Sequence, residues 1–480
     1  MANLIIWNTL SHNAGSMPYL NRPSGPHQIA NWLIQHGYSV KVIDFCRELT
    51  TSDLVSITKK YIAKDTIAVG VSSTFWGVVG DMSEIPKDYH IRSTRQEPAW
   101  VTDARAIVEA AYPQLNWVLG GANSELRHAL HWDSFGGHPE DIFLKYLDEK
   151  ASRVRHVPEF SIQTHSGAYM DGLGITKHEV LGMEWGRGCQ FSCKFCGYRL
   201  LGKKKNTYLR DWGIIKNDLI ANYEKYGTTR YIFVDDTVNE STEKIIAMAE
   251  IAQSLPFELE WVGYGRLDLI GANKSTVRIL KDSGLRSMFF GIESFSPEAS
   301  TFIDKKWNGT RGKEFLLELK NLWGDDINFH INFMVGLPGD TEDTLDETHQ
   351  WCQDNNIAAW RFVPLFLSKI NTQYGSEFDK NYSKYGFTFP DPMRHLEWSS
   401  PTWTFERAVK KAAQLQRDIQ ARPAVFNLAG FAGLGYSMRE LMPLMVHEIR
   451  RSSMRDEFMI RYSSAIQEYV NYQLNVAPAY

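Results

Sequence analysis

Three cysteines crowd into eight residues of this chain. The stretch reads Gly186-Arg187-Gly188-Cys189-Gln190-Phe191-Ser192-Cys193-Lys194-Phe195-Cys196-Gly197-Tyr198, a C-x3-C-x2-C pattern. Thiolates this close in sequence can wrap one [4Fe–4S] cubane. Three of them leave one iron without a protein ligand, and an open position is what separates a catalytic metal from a structural one. A zinc site is the alternative. Structural zinc wants four ligands, and no further Cys or His stands within a few residues of the trio. Cys46 and Cys352 are far away in sequence. The opening MANLIIWNTLSHN turns polar too soon for a secretion signal. An odd, clustered cysteine set then argues for a reducing, cytoplasmic setting and a metal site rather than a disulfide framework.

Such a loop needs a scaffold, and the chain around it alternates strand and helix signals. Strand-like runs are EVLGMEW (179–185), TRYIFVDDT (229–237), ELEWVGYGR (258–266), SMFFGIES (287–294), NFHINFMVG (328–336) and AWRFVPLFL (359–367). Helical segments such as Trp212 to Tyr226 and Thr341 to Asp354 lie between them. Six βα units predict a partial or complete β/α barrel over residues 178–370, with functional groups at the carboxyl ends of its strands. The cysteines directly follow the first strand. The later strands end in Asp235-Asp236, Arg266, Glu293-Ser294 and Gly336. A Glu that closes an apolar run needs a partner. Arg266 matches a carboxylate in bidentate fashion, whether on a ligand or on nearby Asp268. The aspartates fit helix or turn caps equally well, and Gly336 and Gly339 fit plain turns.

The first 150 residues alternate in the same way, with strands at 4–10, 38–45, 66–74 and 116–121 and helices between. Buried strands separated by helices predict a doubly wound, Rossmann-like parallel sheet that binds ligands at its strand carboxyl ends. Residues 151–177 are polar and mixed, as in a linker. Residues 371–480 turn mainly helical from about Phe405, and a helical cap over the barrel mouth is expected there.

At this point the cysteine segment resembles the radical SAM superfamily, whose cluster motif is C-x3-C-x-aromatic-C, with Phe195 in the aromatic place. The resemblance covers roughly residues 179–370. It implies a [4Fe–4S] cluster on Cys189, Cys193 and Cys196 that binds S-adenosylmethionine (SAM) and cleaves it to a 5′-deoxyadenosyl radical. It also implies SAM-site roles for Phe195, Gly197, Tyr198, Asp235, Asp236, Arg266, Glu293, Ser294 and Gly336. Gly291-Ile292-Glu293-Ser294 resembles the family's G-x-E-S motif, and Gly336-Leu337-Pro338-Gly339-Asp340-Thr341 resembles its G-L-P-G-[ED]-T turn.

A doubly wound domain before such a barrel resembles the cobalamin-binding class of the superfamily. Pro23 to Ala30, Val69 to Phe75 and the Gly120-Gly121-Ala122-Asn123 turn carry that likeness. Gly136-Gly137-His138-Pro139-Glu140 departs from the usual G-E-G-E. No D-x-H-x-x-G motif occurs, so no histidine is marked as a lower ligand to cobalt. That fits cobalamin held without an axial histidine, and it fits a domain that has lost the cofactor.

Five cysteines are too few for auxiliary clusters or for a methylthiotransferase. Net charge is −4, with no basic footprint for nucleic acid, and the apolar runs are too short to span a membrane. The expected partners are a small-molecule or peptide substrate and an electron donor such as flavodoxin or ferredoxin. Three readings compete: cobalamin-dependent methylation of an unactivated carbon; radical rearrangement, cyclisation or oxidation without methyl transfer; and a non-enzymatic iron–sulfur or zinc module.

Overall fold

The computed structural model describes residues 2–9, 20–73, 98–121, 133–134, 139–157, 159–197, 208–305, 309–367, 375–390, 397–417 and 419–477. Two parallel sheets organise them. The first has the order β2-β1-β3-β4-β5. Its strands are β1 (Leu4–Trp7), β2 (Val40–Ile43), β3 (Ala68–Ser72), β4 (Asn116–Gly120) and the two-residue β5 (Asp133–Ser134). Helices α1 (Gly25–Gln35), α2 (Thr51–Tyr61), α3 (Ala99–Ala111) and α4 (Pro139–Lys150) connect and cover it. The doubly wound sheet expected from the alternating pattern is present; β5 has no apolar run that would announce it.

The second sheet has six parallel strands in unbroken sequence order, β11-β10-β9-β8-β7-β6. They are β6 (Leu181–Met183), β7 (Arg230–Phe233), β8 (Glu260–Gly265), β9 (Leu285–Glu293), β10 (Asn328–Val335) and β11 (Ala359–Pro364). This is the partial barrel, with β6 and β11 as its edges. Its helices include α5 (Trp212–Tyr226), which runs between an Asp211 N-cap and a left-handed Gly227, as those residue types favour.

Alternation along β1 shows how the regions join. Leu4 and Ile6 enter one hydrophobic cluster, shared with Leu181, Met183 and Tyr231 of the barrel. Ile5 and Trp7 enter another, shared with Ile232, Val262, Leu428 and Phe431. The expected linker is packed rather than free: Asn31 donates to the Ser166 and Ala168 carbonyls, and Lys41 to that of Gly172. Arg22 is buried there, bonded to Asp44, Glu179 and the Leu173 carbonyl.

The C-terminal region is helical, as expected, but residues 423–442 do not cap the mouth. They close the opposite end. Asn328, at the start of β10, donates to the Pro423 and Met442 carbonyls; the Val425 amide donates to Ser287; and Arg230, at the start of β7, donates to Tyr436 O. The amphipathic pattern marks an apolar face correctly, but it cannot say which barrel end that face covers.

Candidate active site

The cysteine loop leaves β6 at the carboxyl end of the barrel. Gly188 turns it with φ +91°, a conformation that favours glycine. From outside, the Lys194 amide donates to Ile303 O, and the Phe378 amide donates to Lys194 O. Inside, the Cys196 amide donates to Cys193 O at 3.1 Å. Cys193 is buried, while Cys189 and Cys196 are half-buried. The segments that follow two neighbouring strands place polar groups on the sulfurs. Thr237 Oγ1 lies 3.4 Å from Cys189 Sγ, and Arg266 Nη1 donates to Cys193 Sγ at 3.3 Å. Arg266 also lies 4.2 Å over the Phe191 ring and holds Asp268 through two bonds, 3.0 and 2.7 Å. Burial raises the Cys189 thiol above its ordinary range, so a bound metal is what would hold it as thiolate.

The described residues contain no three His, Cys, Asp or Glu side chains grouped as a single-ion site. A cubane takes its thiolates on separate irons, and three thiolates leave its fourth iron open.

The remaining strand ends fall into three settings. Asp235 is buried and turned to structure: it accepts from the Trp185 amide at 2.7 Å and pairs with buried Lys244 at 2.6 Å, which also holds Glu240. Burial still raises its pKa against that lysine. Asp236, beside it, is half-buried. Glu293 closes β9 with φ +70°, next to a register shift between β9 and β10. Its carboxylate takes Lys305 Nζ at 3.2 Å and Asn332 Nδ2 at 3.0 Å, and Arg361 in turn donates to Asn332 at 2.8 Å. Ser294 donates to Asp340 at 2.8 Å. Burial pushes the Asp340 carboxyl up to about 7, with the Ser294 and Thr344 bonds opposing. Gly336 (φ +103°) is pressed against Trp398, where any added Cβ would stand 2.6 Å from the indole. Phe195 and Gly197 are half-buried in the loop, with Lys305 5.7 Å from the Phe195 ring. Tyr198 lies outside the described residues.

Sequence reading misses Thr237, Lys305, Asn332, Arg361 and the clamp around Arg187. The detectable signal is polar residues two apart inside apolar strands, His330 and Asn332 above all. The clamp borders a second site. At the carboxyl ends of the first sheet lies a cavity of about 260 Å³, walled by Ser24, Gly25, Gly70, Ser72, Gly120 and Phe143 and, on the barrel side, by Glu184 and Arg187. Arg187 pairs with Glu140 of α4 and with Glu184, both at 2.8 Å, two residues before Cys189. Ala122, Asn123 and residues 136–138 lie outside the described residues.

Residues 183–352 match the Radical SAM superfamily model, and this segment is a radical SAM domain. The whole chain shares the fold of the radical SAM methyltransferase TsrM from Kitasatospora setae, solved with cobalamin and a [4Fe–4S] cluster bound. The TM-score is 0.64 at 15% identity, over 97% of this chain and all of that one. An uncharacterised methyltransferase of Pyrococcus horikoshii is 24% identical over 69% of this chain and 73% of its own length. An anaerobic magnesium-protoporphyrin IX monomethyl ester cyclase of Cereibacter sphaeroides is 26% identical over 48% of this chain, which spans 38% of that enzyme. Among the described residues no helix is long and apolar enough to cross a membrane.

Proposed function

We propose that this chain is a radical SAM enzyme that methylates an unactivated carbon with the help of cobalamin. When bound, the [4Fe–4S] cluster supplies the electron that cleaves SAM to a 5′-deoxyadenosyl radical, and cobalamin supplies the methyl group. Cys189, Cys193 and Cys196 would hold the cluster. Thr237 and Arg266 hydrogen-bond two of those sulfurs, and such bonds tune a cluster's potential. Glu293, fixed by Lys305 and Asn332, offers a carboxylate for ligand hydroxyls at the mouth.

The observation that carries the cobalamin part is the cavity between the first sheet and the cysteine loop. Its wall of glycines, serines and apolar side chains, with Glu140, Glu184 and Arg187 on one side, suits a cofactor held by shape. Among the described residues its lining contains no His, Cys or Met.

The test is anaerobic reconstitution with iron, sulfide, cobalamin, SAM and a flavodoxin- or ferredoxin-type reductant. S-adenosylhomocysteine and 5′-deoxyadenosine formed together support methylation. Protein that never retains cobalamin sinks that reading. The cyclase relatives favour a second one, radical rearrangement, cyclisation or oxidation, which would yield 5′-deoxyadenosine without methylated product.

A further inference from the structure

On β8 to β11 the two sets of alternate side chains differ in burial. Tyr264, Phe289, His330 and Arg361 are half-buried, whereas Phe290, Ile331 and Phe362 on the opposite face are buried. The buried set faces the outer helices: Phe290 stacks on Trp323 at 6.2 Å, and Phe362 lies 6.0 Å from His349. The half-buried set therefore lines the barrel lumen. Its rings meet across strands, Tyr264 to Phe289 at 5.3 Å and 63°, and Phe289 to His330 at 5.0 Å and 51°. Phe426 rises from the C-terminal floor to 5.6 Å from Tyr264. Arg361 lies 5.2 Å over Phe289. His330 Nε2 has no hydrogen-bond partner among the described residues. Burial, reinforced by Arg361, pushes the imidazole down to about 3, so it is neutral at physiological pH.

We propose that this aromatic floor is the substrate subsite, and that it takes a planar aromatic ring whose polar edge bonds to His330 Nε2. Tilted rings offer edges and faces to a flat guest, a preference that an aliphatic body of equal area does not share. An unmet buried nitrogen disfavours guests that cannot bond to it. The inference rests on the radical SAM reading, because Glu293, at the end of β9, and the cysteine loop, which follows β6, lie at the mouth of the same barrel.

The experiment uses reconstituted holoenzyme with SAM and three probes: indole, indene (the same shape without N–H) and octahydroindene (its saturated relative). Calorimetric titration is expected to rank them in that order, with roughly threefold or more between steps, the scale of an aromatic pairing or a single hydrogen bond. Phe426→Ala should weaken indole at least fivefold. His330→Phe keeps an aromatic ring but removes the nitrogens, and should erase the indole–indene difference while indene still binds. Octahydroindene binding as well as indole, or His330→Phe retaining the preference for indole over indene, overturns the proposal. Iron content and reductant-dependent SAM cleavage are measured on the same samples. If both are normal while ring selectivity is absent, the floor assignment alone fails; if both are lost in wild-type protein, the radical SAM reading fails.

Discussion

The chain carries two parallel sheets, and each offers its strand carboxyl ends to a site, but the two ends are built from opposite materials. The barrel mouth is ionic: Arg266 with Asp268, Glu293 with Lys305 and Asn332, Asp235 with Lys244. The N-terminal pocket is walled largely by glycine, serine and apolar side chains, with Arg187 and Glu184 on the barrel side and Glu140 of α4 against them. Charged, prebonded groups suit a zwitterionic ligand and chemistry in which charge moves. Walls of glycine, serine and apolar side chains suit a cofactor recognised by shape. The contrast predicts that each site can be emptied without emptying the other.

The largest effect tests the mouth. Cys193→Ala should remove about four irons together and abolish SAM cleavage, while cobalamin retention persists. Iron and sulfide analysis beside the cobalamin absorption spectrum decides. Stoichiometric zinc in wild-type protein would sink the cluster assignment. The complementary change tests the pocket. Gly120 lies on its wall, and a Cβ there would meet Phe143 at 3.5 Å. Gly120→Leu fills the space with a side chain, so cobalamin retention should be lost while iron content stays at the wild-type level. Equal loss of both cofactors would mean that the two sites are not separable.

Much of this division is legible in the amino-acid sequence. Parallel strands buried on both faces read as apolar runs, so all six barrel strands and four of the five in the first sheet can be placed from them. The cysteine spacing and the residues that end the strands mark the mouth. The partners of those residues stay hidden because they are remote in sequence: Lys244 reaches back to Asp235, Arg361 reaches Asn332, and Arg187 reaches Glu140 across the domain boundary. The positive φ of Glu293 follows from a β-bulge, and no residue type announces it. The C-terminal floor is misplaced by the same reading, because helical periodicity fixes an apolar face without naming what it covers.

Arg187 is where the two materials meet, and its replacement should register at both sites. Arg187→Met leaves buried Glu140 and half-buried Glu184 without their shared cation. Breaking such a pair from one side costs about 3 kcal/mol, visible as a lowered midpoint in thermal unfolding of the cofactor-loaded protein. Arg187→Lys should recover only part of this, since lysine cannot fork to two carboxylates. A full-strength Arg187→Met protein would show that this ion cluster adds nothing to the join between the domains.

The smallest effect lies within the mouth and depends on pH. Asp340 is buried with its pKa raised to about 7, against about 3.9 for an unfolded aspartate. Between those values the folded state holds a proton that the unfolded state has lost. Stability therefore falls as pH rises through the window, and levels off above it. Asp340→Asn keeps an oxygen to accept the Ser294 hydroxyl and removes the titration. Relative to wild type, the variant should gain about 2 kcal/mol on going from pH 5 to pH 8. Unfolding curves at the two pH values check it. A wild-type and variant difference that does not change with pH would place Asp340 with the ordinary, ionised carboxylates of the mouth, and would make that site uniformly charged.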